Sequence, residues 1–220
     1  MQSSEIEQTP ADGPHAIGLA EKLCFIAPLA VVQVGIYWLL NHYPLLQSRS
    51  LRLTWIDRAT PFWLWTIWGY FALIAMAPGL PLLVQDERVF RRLLRAYYIA
   101  MGTAWLFFLL MPTHYPRPSL PGDGSWPSMA YRSLLDFDSP ECCFPSSHVI
   151  VPLLGCFALR KDKGIGRWWP LMAASVLVCC LSILTTKQHY VWDLLGGTCA
   201  AALGWCVSGW RSSKGVRNRL

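Results

Sequence analysis

Apolar residues run along this chain in long, nearly charge-free stretches rather than in the alternating or one-faced patterns of a water-soluble fold. Six stand out, at residues 23–40, 62–83, 94–111, 148–159, 168–185 and 190–210. A helix needs about 20 such residues to cross a bilayer, because its backbone must satisfy its own hydrogen bonds where water is absent. The pattern predicts an all-α membrane protein, a six-transmembrane-helix bundle whose fourth span is short unless it reaches back towards Pro145. A polar, mainly acidic tail precedes the first run and no clear small-residue cleavage site follows it, so that run is read as a helix rather than a signal peptide. The expected organisation is a cytoplasmic tail over 1–22, a membrane domain over 23–210 and a basic cytoplasmic tail over 211–220. No internal repeat is apparent, and the one long connection, 112–147, is rich in Pro, Gly, Ser and Asp.

Composition agrees with this reading: 54% of the 220 residues are hydrophobic, 15% are charged and the mean hydropathy is +0.33. Soluble domains carry about 25% charged residues, so an ordinary soluble fold and a disordered chain are both disfavoured. The formal net charge of +6 acquires meaning only from where the cations lie. Six spans would put thirteen Lys and Arg on the side of the termini, in clusters around 88–95, 160–167 and 211–219 together with Lys22. The other side would carry six: Arg49, Arg52, Arg58, Arg117, Arg132 and Lys187. Positive residues favour the cytoplasm, so both termini are expected there, and the charge implies no nucleic-acid partner. Of eight cysteines, six lie in apolar runs as small hydrophobes, and no disulfide is expected for Cys142 or Cys143.

Two connections then fall together on the outer side. One holds Arg117-Pro118 and Pro145-Ser146-Ser147-His148; the other holds Lys187, His189 and Asp193. His189 and Asp193 stand at i, i+4, one helical face, where a carboxylate can fix the tautomer of an imidazole and leave its other nitrogen as base or nucleophile. A buried polar pair that stitches helices together fits the same spacing. Ser146 or Ser147 would cap a helix whose free N–H groups suit an anion, with His148 ready to protonate a leaving oxygen, although a capped helix facing headgroups reads the same way. Arg117 between prolines is either a phosphate ligand or an interfacial anchor, and Lys187 is open to the same two readings. Zinc held by two His and an Asp is a further alternative, without a familiar ligand spacing.

Arg117-Pro118, then Pro145-Ser146-Ser147-His148, then His189 with Asp193 four residues on, in that order, resemble the type 2 phosphatidic acid phosphatase superfamily. Its motifs read K-x6-R-P, P-S-G-H and S-R-x5-H-x3-D, and the likeness spans 94–210. Asp57 with Pro61-Phe62 also looks like the branch that includes inositol phosphorylceramide synthases. The resemblance implies a metal-independent, cofactor-free membrane enzyme acting on a phospholipid or prenyl phosphate at the outer face of a cell membrane. It would make His189 the nucleophile through a phosphohistidine, Asp193 its orienter, His148 the general acid, and Arg117, Ser146 and Ser147 the phosphate-binding residues; Lys187, four residues beyond Ile183, would bring its charge to the phosphate if the preceding helix continues that far. Two positions depart from it: Leu110 stands at the first-motif lysine and Ile183 at the third-motif arginine. Lipid phosphatase is the expected activity, head-group transfer to a lipid alcohol or polyol its alternative, and a non-catalytic lipid-binding protein or small transporter the rival from another class. Oligomeric state is not encoded in these patterns.

Overall fold

The computed structural model describes residues 15–217 except residue 121, with side chains as far as Gly209. The tail before His15 and the side chains of the basic tail over 211–220 lie outside the described residues. Every expected apolar run is helical: α1 (Leu19–His42), α3 (Ile67–Leu83) behind a single 3-10 turn, α4 (Glu87–Leu110), α6 (Ser147–Lys161), α7 (Trp169–Thr185) and α8 (Val191–Arg217). Helix α4 starts two turns before its apolar run. Asp86 caps it by accepting from the N–H groups of Arg88 and Val89, and Glu87 pairs with Arg91 at i, i+4 (2.6 Å). Two short helices, α2 (Trp55–Ala59) and α5 (Trp126–Phe137), lie in the connections, and a two-residue parallel pairing joins β1 (Arg49–Ser50) to β2 (Thr113–His114).

Among the described residues, five helical segments are long and apolar enough to cross a membrane: Leu19–His42, Leu64–Leu83, Glu87–Leu110, Gly166–Thr185 and Val191–Gly209. Of the six expected spans, the fourth, α6, is the one that does not reach this length. With 15 residues α6 is about 22 Å long, short of a hydrocarbon core of roughly 30 Å. Its sequence shows why: Pro145 and Ser146 start the helix only after the chain has entered the bundle, and Asp162 ends it. Numerous large apolar side chains remain exposed, among them Val31, Val32, Leu39, Leu177 and Val178, as expected of helices facing lipid. The chain is an all-α, multi-pass membrane protein.

Helix α6 lies at the centre, against α3, α4, α7 and α8, while α1 packs chiefly on α3. Close approach depends on small residues. A Cβ on Gly204 of α8 would stand 2.5 Å from the Ala96 carbonyl oxygen of α4, and one on Gly197 would stand 2.8 Å from the Ser146 carbonyl oxygen. The second of these seats the start of α6 against α8 beside the motif residues. At the opposite end, the buried Asp162 carboxylate accepts from the N–H groups of Gln85, Asp86, Gly164 and Ile165, tying the α3–α4 and α6–α7 connections together. Burial pushes this carboxyl up, but the four N–H donors outweigh it and hold it below the ordinary carboxylate range.

Candidate active site

The site begins with the way α7 ends. Thr186 closes the helix, Lys187 takes a left-handed backbone (φ 53°), and the N–H groups of Lys187 and Gln188 return to the carbonyls of Leu184 and Ile183. This is a Schellman closure with lysine where glycine is usual. It turns the chain sharply so that His189 lies just before α8, where Asp193 sits in the first turn. The Asp193 Oδ2 accepts from the Tyr190 N–H (2.9 Å) and lies 3.1 Å from His189 Nδ1. The i, i+4 pair of the sequence is therefore in contact, with both residues buried.

On its other side, His189 Nε2 lies 3.3 Å from His148 Nδ1 and 3.5 Å from Ser146 Oγ. Ser146 occupies the N-cap position of α6, yet its hydroxyl makes no capping bond and faces the histidine instead. Its backbone N–H donates to the Asp193 carbonyl (3.2 Å), so the start of α6 is anchored on the first turn of α8. Tyr70 of α3 completes the row, its hydroxyl 3.3 Å from His148 Nε2. With a proton on His189 Nδ1 facing Asp193, one directional chain gives the Tyr70 hydroxyl and all four ring nitrogens a partner, while Asp193 Oδ1 stays buried without one among the described residues. Tyr70 O–H donates to His148 Nε2, His148 Nδ1–H donates to His189 Nε2, and His189 Nδ1–H donates to Asp193. A phosphoryl group that reaches His189 Nε2 must part the two rings.

Arg117, expected as a phosphate ligand or an interfacial anchor, is held by an acidic partner. Its guanidinium pairs with Asp138 Oδ2 (2.6 Å) and donates to the carbonyls of Asp138 and Ser139, while its Nε is buried without a partner among the described residues. Asp138 is itself held by α1, whose Tyr37 hydroxyl and Asn41 amide each donate to Oδ1 at 2.7 Å. The arginine thus stands beside the site, fixed to the α5–α6 connection. The buried Cys143 thiol feels both parts of this arrangement: burial, reinforced by Asp193, pushes it well above its ordinary pKa, and Arg117 pulls it back.

The reading in which α7 continues and carries Lys187 to the phosphate is corrected by the left-handed turn. The Lys187 ammonium donates instead to the carbonyls of Asp57 (2.8 Å) and Thr60 (2.6 Å). Burial lowers its pKa, partly offset by the Asp57 carboxylate. Asp57 accepts in turn from the Val191 N–H (2.9 Å) and forms a capping box with Thr54, so α2 braces the start of α8. Ser147 faces an apolar cavity together with His148. At the departing motif positions, Leu110 is exposed and Ile183 is fully buried among apolar side chains, so neither supplies charge.

Donor atoms of Cys143, His189 and Asp193 lie within 4.8 Å of one another, a set that a thiophilic divalent cation would fit. Against that, Cys143 donates to the Pro140 carbonyl (3.1 Å), and burial favours its protonated form, so an ion would have to displace that proton. Cys142 is also a buried free thiol. Sequence reasoning missed Tyr70, Asp138, Tyr37 and Asn41. The last two are spaced i, i+4 in an apolar run, as is Gln33 before them, and polar residues repeating on one face of a membrane helix were the available signal.

No curated protein and no solved structure matches the chain. A family model described as the PAP2 superfamily matches residues 38–207, which takes in all three motif segments, α3 with Tyr70, and the end of α1 with Asn41. The chain belongs to the PAP2 superfamily.

Proposed function

We propose that this protein transfers a phosphoryl-type group from a membrane lipid through a phosphohistidine on His189, as a lipid phosphatase when water is the acceptor. The observation that carries this reading is the row Asp193–His189–His148, with Ser146 beside it, at the start of α6. His189 Nε2 attacks phosphorus in line and the P–O bond to the lipid alcohol breaks. The proton on His148 passes to the departing oxygen. Water then attacks the phosphohistidine, with His148 taking its proton, and inorganic phosphate leaves. The N-terminus of α6, the Ser146 hydroxyl and the free Nε of Arg117 are the groups offered to the phosphoryl oxygens. In this reading α6 is the sixth span, both termini are cytoplasmic and the site opens on the outer face of a cell membrane.

A second reading, head-group transfer to a lipid alcohol or polyol, is favoured by one observation. Leu110 and Ile183 replace cations of the family motifs, and Lys187 is tied to two carbonyls, so Arg117 is the one cationic motif residue beside the row. A phosphodiester, with a single negative charge, needs less neutralisation than a monoester dianion. Purified protein incubated with phospholipids and prenyl phosphates, with and without ceramide or diacylglycerol, distinguishes these outcomes by free phosphate against new lipid. Turnover is expected to survive chelators and to be blocked by vanadate, which mimics a five-coordinate phosphorus. Loss of activity with a chelator, restored by zinc or magnesium, would remove His189 as nucleophile in favour of a metal-assisted route through the Cys143 cluster.

A further inference from the structure

A cavity of about 330 Å3 lies between α1, α3, α4 and α6. It follows α1 from Tyr37 down to Ile26 and α6 from Ser147 down to Leu154, so it leads from the catalytic row into the depth of the bundle. Eleven residues of α1 correspond to roughly 16 Å of length. Almost all of the wall is hydrocarbon, including Leu29, Leu73, Ile74 and Val151. His148 and Ser147 face its site end, and His148 is the group that protonates the departing oxygen in the function proposed above, on which this inference rests. The lipid part of the substrate therefore lies on the leaving side, and its chain has a hydrocarbon-lined place to occupy.

Beyond Tyr37, Ser147 and His148 at the site end, two polar side chains interrupt that wall. Tyr97 of α4 donates to Gln33 Oε1 of α1 at 3.0 Å, and the Gln33 Nε2 has no hydrogen-bond partner among the described residues. A carboxamide on a membrane helix is costly unless something accepts from it. Gln33 lies one turn, about 5.4 Å, along α1 from Tyr37. The Tyr37 ring in turn is 6.2 Å from that of His148. An acylated lipid with its phosphate at His148 carries its first carbonyl a few bonds further along, in the direction of Gln33 through the cavity that both residues line.

We propose that Gln33 is a specificity-determining residue, donating from Nε2 to an ester or amide carbonyl of an acylated lipid whose chain fills this cavity. A prenyl phosphate has no such acceptor and would leave the carboxamide unmet. Binding of non-hydrolysable phosphonate lipids to the purified full chain tests this, comparing a diacyl compound with its dialkyl ether analogue. Wild type is expected to hold the diacyl compound about ten-fold more tightly, the worth of one hydrogen bond in an apolar site. Gln33→Leu is expected to bind both as wild type binds the ether. Ala30→Phe, a change on the loosely packed α1 that narrows the cavity, is expected to weaken both. Equal affinity of wild type for the two lipids, or a preference that survives Gln33→Leu, would overturn the assignment. Turnover of a soluble aryl phosphate by the same preparations scores the chemistry separately, because the carbonyl preference is read from binding alone.

Discussion

Which ring nitrogen carries a proton decides what each histidine does. Asp193 accepts at His189 Nδ1, which leaves Nε2 as the lone pair, and that lone pair faces His148 rather than solvent. The proposed roles rest on this asymmetry: His189 has the carboxylate of Asp193 at one nitrogen and His148 has the hydroxyl of Tyr70 behind it. His189→Ala is expected to abolish phosphoenzyme formation with every substrate. His148→Ala removes the proposed general acid, help of a kind typically worth about 10²–10⁴-fold and needed only when the departing oxygen is basic. A nitrophenyl phosphate, if accepted, should therefore recover most of the loss in His148→Ala and none in His189→Ala. Asp193→Asn should fall between them, since the imidazole survives with its tautomer poorly fixed. The assay compares an alkyl lipid phosphate with its nitrophenyl analogue in the three variants, and equal rescue of both histidine variants would sink the assignment.

These contacts exist because connecting segments hold the ends of α6, α7 and α8 in register, and there the sequence was only partly legible. The helices could be read from apolar runs, and the His189–Asp193 contact from i, i+4 spacing, because both depend on neighbours a few residues apart. The fate of Lys187 could not: it depends on a left-handed turn that sequence would assign to glycine, and on carbonyls of Asp57 and Thr60 well over a hundred residues away. Helix α5 was hidden inside a Pro- and Ser-rich connection, although Ser125 as N-cap and Pro127 in the first turn were its start signals. Asp138 gave no sign of holding Arg117, since that pairing spans 21 residues of connection and is supported by Tyr37 and Asn41 from α1. If Lys187 braces α2 against the start of α8, Lys187→Met should lower thermal stability in detergent and kcat together while leaving KM little changed. Removing charge-assisted bonds to two carbonyls corresponds to roughly 1.5–3 kcal/mol each at most. A raised KM with unchanged melting would instead restore the lysine as a phosphate ligand.

Taken over the full bundle, the polar inventory is divided between its two ends. One end gathers His148, His189, Arg117 and the α2 and α5 connections. The other gathers Asp162, Gln85 and Asp86, with Arg88, Arg91, Arg160, Lys161 and Lys163 around them. Nothing in the packing of the helices requires cations to collect at the second end, since most of these side chains are exposed and surface pairs such as Arg91–Glu87 contribute little to stability. A bias without a folding purpose is the signature of insertion, in which positive connections are retained in the cytoplasm. In the proposed orientation the catalytic end faces outwards, so that the phosphorylated headgroup approaches from outside and its chain stays in the bilayer. Ser119 and Lys163 are exposed on the two opposite ends and make the test. Ser119→Cys should react with an impermeant thiol reagent in intact cells above the background of the wild-type chain, while Lys163→Cys should react only after the membrane is opened. The reverse pattern would invert the bundle and bring the catalytic row to the cytoplasmic face.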